Sequence, residues 1–259
     1  MRPHSRSTLG YLLLVALLLS ECIAPLPVQQ PQPTPVQATP MPVPVLADLS
    51  DLFPSSVTSY TTPYPFTIRT EVIATLNVPT GEIIASDLFF GTLTQPLVRR
   101  VPPGQYPVSL SLMRENTQAW ESVAAAKIQF LSAQPVSWEL ALIPGQDLSS
   151  LKPGEIFGYA GDSGTGSFAS PASAQALTSK LDQDQDYTDE INKASEVHST
   201  TGSWASLIPD PTTGHNIVFF ASGYGDGFHA SYWGLDQRGQ AVCLITDFTL
   251  VEIKKLPIP

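Results

Sequence analysis

Charged residues are scarce in this chain. Asp, Glu, Lys and Arg make up 14% of its 259 residues, against about 25% in an average globular domain, so much of the folded surface must be neutral and polar. The net charge of −10 argues against binding to nucleic acid or to anionic lipid headgroups. The chain has two cysteines and four histidines, and it contains no metal-ligand spacing, phosphate loop or nucleotide fingerprint. We therefore expect no cofactor and no metal.

Long hydrophobic runs are also lacking, except near the start. Two arginines precede an uncharged run at residues 9–20, which is too short for a membrane-spanning helix of about 20 residues and is typical of a secretory signal. A cysteine follows at once, as at the lipidation site of bacterial lipoproteins, although Glu21 replaces the small residue usual before it. We predict a signal peptide at 1–21 and a lipid on Cys22. The domain would then lie outside the cytoplasmic membrane, with the membrane as its partner through this anchor.

Two alternatives to lipidation arise from the same residues. Cleavage behind the small residue Ala24 would give a secreted protein, although Pro25 would then follow the cut and suits a signal peptidase poorly. An uncleaved anchor is the other alternative, and all three place the domain outside. A disulfide between Cys22 and Cys243 would instead draw the N-terminal segment back onto the domain.

Proline is concentrated just after Cys22. Eight prolines and no charged residue lie between residues 25 and 44. Proline fixes φ and lacks an N–H, so this segment is predicted to form an extended polyproline II spacer on the order of 60 Å long. We predict a stalk at 22–50 and one globular domain at 51–259.

The remaining sequence predicts a β-rich domain. β-Branched and alternating apolar residues predict strands at 67–78, 82–85, 106–112, 124–130, 136–142, 215–221, 230–235 and 240–248. Helix signals are confined to the middle, where Ser170 is a good N-cap with Pro171 behind it, and a second helix is predicted at 186–197. We predict an α+β fold, mainly antiparallel sheet with a helical insertion around 170–198. Cys243 falls in the last strand and is expected to be a buried thiol.

Two motifs suggest chemistry that their context does not support. Gly-Asp-Ser-Gly at 161–164 is reminiscent of serine proteases, but only His4 precedes Ser163. A downstream base would suit an α/β-hydrolase, whose second glycine is replaced by Thr165. We interpret the motif as a tight turn ahead of the first helix.

The second motif is an Asp-x-Asp-x-Asp pattern at 182–186, which matches the first ligands of an EF-hand. Tyr187 and Lys193 stand where that loop needs glycine and glutamate. We interpret residues 182–190 as a solvated acidic segment, with loose calcium binding as the alternative.

The densest polar and aromatic segment is 222–236. Asp226 and His229 could act as an acid/base pair, and Tyr232 or Trp233 could stack on a sugar or a cation. In the alternative interpretation, the segment is a hairpin whose Asp226 bonds its own turn while the aromatic residues fill the core. The candidate binding residues are Asp162, Tyr224, Asp226, His229, Tyr232 and Trp233.

Four motifs occur in order along the chain: Pro-Pro-Gly-Gln-Tyr-Pro-Val at 102–108, Asp162 followed by Gly-Thr-Gly and Phe168, Ser-Gly-Tyr-Gly-Asp-Gly at 222–227, and Thr-Asp-Phe at 246–248. Together they resemble the bacterial DUF4241 family. The resemblance implies a shared fold over about residues 66–250 and supplies no catalytic roles.

Two hypotheses of function remain. The first is a non-catalytic extracytoplasmic binding or interaction domain. The second is a hydrolase-type enzyme that uses Asp162, Asp226 and His229. The second hypothesis requires these three side chains to share one open pocket, which provides a direct structural criterion.

Overall fold

The computed structural model of the protein describes residues 45–46, 48–61, 65–89, 95–184 and 186–254. The predicted signal peptide, Cys22 and the proline-rich segment lie outside the described residues. No helix within the described ranges is both long and apolar enough to cross a membrane.

Strands are the main type of secondary structure in the described residues. They are β1 (Val45–Leu46), β2 (Thr58–Tyr60), β3 (Phe66–Val78), β4 (Ile84–Ser86), β5 (Gly104–Glu115), β6 (Ser122–Gln129), β7 (Ser137–Leu140), β8 (Tyr159–Gly161), β9 (Thr165–Ala169), β10 (Ala205–Leu207), β11 (Ile217–Ala221), β12 (Gly227–Leu235), β13 (Ala241–Asp247) and β14 (Glu252–Ile253). The helices are α1 (Pro171–Gln183) and α2 (Tyr187–Glu196), with short 3-10 turns at Leu49–Leu52 and Leu148–Ser150. The prediction of a mainly antiparallel α+β fold is confirmed.

An eight-stranded sheet forms the centre of the domain. Its strands pair antiparallel in the order β2-β3-β5-β6-β13-β12-β7, and β8 pairs with the N-terminal part of β12. These strands contain the eight predicted segments except 82–85 and 215–221, which form β4 and β11 of a smaller sheet. The alternation of β-branched and apolar residues was therefore a reliable signal for the long strands.

The smaller sheet has the order β10-β11-β9-β4 and carries the two helices. Helix α1 begins as predicted, because the Ser170 hydroxyl accepts a hydrogen bond from the Ser173 backbone N–H and Pro171 occupies the first turn. Both helices occur within the predicted insertion. Six strands were not predicted: β1, β2, β8, β9, β10 and β14.

The apolar residues form three layers on the two sheets. The first lies between the sheets and contains Leu110 and Trp233 of the large sheet and Phe220 of the small one. The second covers the other face of the large sheet. The third joins the helices to the outer face of the small sheet through residues such as Leu177 and Ile191.

The packed region starts earlier than the predicted boundary at Asp51. Strand β1 pairs in parallel with β14 near the C-terminus, with Leu46 opposite Ile253. Leu46 and Leu49 are 4% and 0% exposed and belong to the second apolar layer. Residues 45–46 and 48–50 therefore pack with the domain.

Cys243 is a buried free thiol in β13, as predicted. Burial raises its pKa to about 11, so the unreactive thiol form dominates at neutral pH.

Candidate functional site

A cavity of about 440 Å³ lies among the ends of β4 and β7, residues 95–97 and strand β8. Ligand sites usually have volumes of about 300–1,000 Å³, so this cavity could hold a small organic molecule. Its polar lining residues are Ser86, Asp87, Gln95, Gln146, Tyr159, Asp162 and Ser231. An apolar wall is formed by Ile84, Leu97, Ala141 and Ile143.

Asp87 is the buried carboxylate of this cavity, with 1% of its surface exposed. Its Oδ2 accepts a hydrogen bond from the Ser163 backbone N–H at 2.9 Å, and its Oδ1 accepts one from the Ser163 hydroxyl at 2.7 Å. Oδ1 also accepts from the Phe89 N–H at 2.8 Å. Asp87 therefore fixes the turn between β8 and β9 to the end of β4.

Ser163 has a structural role in this arrangement. Its hydroxyl donates to Asp87 and lies 2.7 Å from the Thr165 hydroxyl, which then donates in return. No histidine hydrogen-bonds to Ser163 among the described residues, so the nucleophile–base pair of a serine hydrolase is not formed. The interpretation of residues 161–164 as a tight turn agrees with this geometry, in which Gly164 has a φ of +67°.

Asp162 lies at the cavity and is exposed. Gly158, Ala160 and Asp162 all line the cavity, and alternate residues of an extended strand lie on one face. The side chain of Asp162 makes no hydrogen bond or ion pair with the residues that the structure describes. Its neighbour Ser163 is anchored to Asp87, so the backbone that carries this carboxylate is held in place.

His229 is buried instead of facing this cavity. It is 4% exposed, and its ring has edge-on contacts with Tyr159 and Phe248 at centroid distances of 5.6 and 4.9 Å. Room for the ring comes from two paired glycines, because a Cβ at Gly161 or Gly227 would lie 2.9 or 2.8 Å from ring atoms of His229.

The buried polar atoms around His229 are unusual. Neither of its ring nitrogens has a hydrogen-bond partner among the described residues, and the same is true of the Tyr159 hydroxyl. Burial lowers the pKa of His229, while the Asp87 charge and a contact with the Gly225 backbone that falls short of hydrogen-bond geometry oppose this shift. Burial, reinforced by the Asp87 charge, raises the pKa of Tyr159. Both groups are therefore neutral at neutral pH.

Asp226 does not stabilise its turn in the predicted way. The Gly225 N–H donates to the Ser222 carbonyl, and the Ser222 hydroxyl donates to the Gly225 carbonyl, each at 2.9 Å. Asp226 is exposed, lies outside the cavity lining and makes no hydrogen bond with the described residues. Ser222 has the role that the sequence assigned to Asp226.

Tyr224 is 68% exposed, and its hydroxyl donates to Glu115 Oε1 at 2.6 Å. Burial of the hydroxyl region and this bond to Glu115 raise its pKa to about 12. Tyr232 and Trp233 are 1% and 2% exposed and belong to the apolar layers on opposite faces of the large sheet. The prediction that these two aromatic residues fill the core is confirmed, and they offer no stacking surface.

The acidic segment is a junction between helices. Asp184 forms an ion pair with Lys180 at 3.0 Å, and the carbonyl of Asp186 accepts the first hydrogen bonds of α2. Within the described ranges, no group of three His, Cys, Asp or Glu residues is arranged to hold a metal ion.

Of the six candidate binding residues predicted from the sequence, only Asp162 lines the cavity. Asp87, Tyr159 and the two glutamines were missed by the sequence reasoning. The only local signal for Asp87 was its place directly after a short predicted strand, and nothing in the sequence linked it to Ser163, 76 residues away.

The fold and the cavity define an α+β domain of two stacked sheets with an acidic, ligand-sized cavity at one edge. The chain matches the family described as "Protein of unknown function (DUF4241)" over residues 76–246, about two thirds of its length. It belongs to this family, as the motifs indicated, and every residue that lines the cavity lies in the matched range. No curated protein and no solved structure matches the chain.

Proposed function

We propose that this protein is an exported, lipid-anchored domain that binds a small ligand without transforming it. Residues 1–21 direct export, Cys22 carries the lipid, and the proline-rich residues that follow hold the domain away from the membrane. The positive start, the uncharged run and the cysteine directly behind it support export and anchoring.

The main support for a binding function is the cavity of about 440 Å³, which Asp162 lines. It combines an apolar wall with a few polar groups on fixed elements, which is the usual composition of a ligand site. Asp87 fixes the turn that presents Asp162, so little ordering of the protein is needed when a ligand binds.

The geometry gives the hydrolase hypothesis no support. Asp162 lines the cavity, Asp226 is exposed outside it, and the nitrogens of His229 are buried against glycines and aromatic rings. A general base must reach the reacting group within about 2.6–3.2 Å or through one water. These three side chains do not share one open pocket among the described residues.

Anchoring is tested by mass spectrometry of the membrane fraction. We expect a diacylglyceryl group on Cys22 of the parent protein. A Cys22→Ser variant should carry no lipid and should not be processed to the mature form. A Cys243→Ala variant, which also removes one cysteine, should be lipidated normally. A Cys22→Ser protein that is processed and membrane-bound like the parent would contradict the anchor.

Ligand binding is tested by NMR screening of small polar and amphipathic fragments against the domain. We expect the NMR signals of some fragments to broaden in the presence of the parent protein, because these fragments bind it. The signals should stay sharp in the presence of Ala160→Trp, which places a large ring on the cavity face of β8. Ala133→Trp, at an exposed turn that does not line the cavity, should leave binding intact. If the fragments bind Ala160→Trp as well as the parent, or if no fragment binds the parent, the cavity is not the binding site.

A further inference from the structure

The charges around the cavity have one sign. Among the residues that the structure describes, the ionisable lining residues are Asp87, Asp162 and Tyr159, and none is a lysine, arginine or histidine. The whole chain is also acidic, with a net charge of −10. The electrostatic potential in the cavity therefore favours a positive ligand and disfavours an anion.

Asp162 is the carboxylate available to such a ligand. It is exposed at the cavity and has no hydrogen bond or ion pair to the residues that the structure describes. Its neighbour Ser163 is held through both backbone and hydroxyl by Asp87. The backbone that carries Asp162 is therefore fixed in advance, and only its short side chain must be ordered when a cation binds.

An exposed aromatic ring, that of Phe228, lies next to the lining residue Gly158 without itself lining the cavity. Phe228 is 53% exposed and pairs with Ala160 of β8, so its side chain lies on the strand face shared by Gly158, Ala160 and Asp162. Its ring extends over Gly158, where a Cβ would come within 3.0 Å of Phe228 Cε1. The face of an aromatic ring attracts organic cations, so Phe228 can hold a positive group of a ligand beside Gly158. Glycine is required at position 158 by the His229 carbonyl oxygen, which a Cβ there would approach to 2.2 Å.

The opposite wall of the cavity is apolar. Leu97 and Ile143 line it together with Ile84, so a ligand that fills the volume must carry an apolar part as well as its charge. A bare metal ion would leave this wall without a partner. An ammonium group joined to a hydrocarbon portion matches both sides of the cavity.

We propose that the cavity binds a small organic amine, with its ammonium group between the Asp162 carboxylate and the Phe228 ring and its apolar part against Leu97 and Ile143. This inference rests on the proposed binding function, since it names the ligand class for the same cavity. It goes beyond that function by requiring a positive charge on the ligand.

The test uses three probes of nearly equal shape: 2-phenylethylammonium, 2-phenylethanol and phenylacetate. Each is titrated into ¹⁵N-labelled parent protein and into Asp162→Asn, Asp226→Asn, Phe228→Leu and Ala160→Trp. Asp226→Asn is the matched control, because it removes an equally exposed carboxylate from a neighbouring turn outside the cavity lining. Melting temperatures of all variants establish that they are folded.

We expect the ammonium probe to bind most tightly and phenylacetate least. Asp162→Asn should weaken the ammonium probe by roughly fivefold, the upper range for a partly exposed ion pair. Phe228→Leu should weaken it by roughly two- to fivefold, and Asp226→Asn should change little. Added salt should weaken the ammonium probe more than the alcohol.

The possible results separate this inference from the proposed function. If the alcohol or the acid binds as well as the amine, and Ala160→Trp blocks that binding, the cavity is a ligand site and the amine class is wrong. Equal losses in Asp162→Asn and Asp226→Asn would also overturn the amine site, because net charge alone would then explain them. If none of the three probes binds while fragments of the screen bind the cavity, the amine class is wrong. If no fragment binds either, or if Ala160→Trp has no effect on the binding observed, the proposed function fails.

Discussion

Asp247 provides a quantitative test of the electrostatics of this fold. It ends β13, is 3% exposed, and its Oδ1 accepts a hydrogen bond from the Thr249 backbone N–H at 2.9 Å. Burial raises its pKa from 3.8 to about 6, although the Thr249 bond acts in the opposite direction. The ionised carboxylate therefore opposes folding at neutral pH. We predict that Asp247→Asn stabilises the protein, because asparagine keeps the acceptor oxygen and removes the charge.

The magnitude and the pH dependence follow from linkage. The interval between 3.8 and about 6 corresponds to roughly 3 kcal/mol at about 1.36 kcal/mol per pKa unit. Since the folded protein keeps this proton to a higher pH than the unfolded chain does, the penalty is absent below pH 3.8, grows between the two values and is complete above about pH 6. The advantage of Asp247→Asn should follow the same course.

The assay is urea denaturation of parent and variant from pH 4 to pH 8. Asp226→Asn is the control, because its exposed carboxylate makes no hydrogen bond with the described residues and should leave the free energy of unfolding nearly unchanged. Asp247→Ala should be less stable than Asp247→Asn, since it leaves the Thr249 N–H without its acceptor. An Asp247→Asn variant that is destabilised at pH 7, or whose stabilisation does not change with pH, would refute the reasoning.

Three further predictions concern folding. Removal of residues 1–50 should lower the free energy of unfolding by roughly 3 kcal/mol or more relative to removal of residues 1–43, because Leu46 and Leu49 are buried; equal denaturation midpoints would place them outside the core. Ser222→Ala should cost about 1 kcal/mol in thermal melts through the lost bond to the Gly225 carbonyl, and an unchanged melt would contradict that role. Gly227→Ala should destabilise the protein, and His229→Ala should remove most of that cost, because the new Cβ meets the imidazole ring; strictly additive losses in the double variant would show that the two do not compete for space.

The long strands and the helices could be predicted because their signals are local. Residues 67–78 are rich in β-branched side chains, which favour a strand. The pair Ser170-Pro171 indicates the start of a helix regardless of what surrounds it. Strand β9 gave no such signal: its five residues, Thr165–Ala169, include glycine and serine and become a strand only by pairing between β11 and β4. Tertiary pairing outweighs local propensity in such short segments.

The site was harder to predict because it depends on distant register. Asp162 was recognised from its motif, but its partner in the cavity, Asp87, acts through Ser163 across 76 residues. His229 was predicted beside Asp226 from their spacing, yet the pairing of Gly161 with Gly227 makes room for its ring inside the domain. Composition showed that glycine was abundant there, but not which side chain would fill the space.

The parallel pairing of β1 with β14 joins the two ends of the folded chain. Because the chain is synthesised from its N-terminus, more than 200 residues must be added after Leu46 before its partner Ile253 exists. Until residue 253 is added, Leu46 has no strand beside it and part of the second apolar layer stays open to water. A chain that terminates before β14 therefore leaves apolar surface exposed, and such surface is recognised by proteases and chaperones.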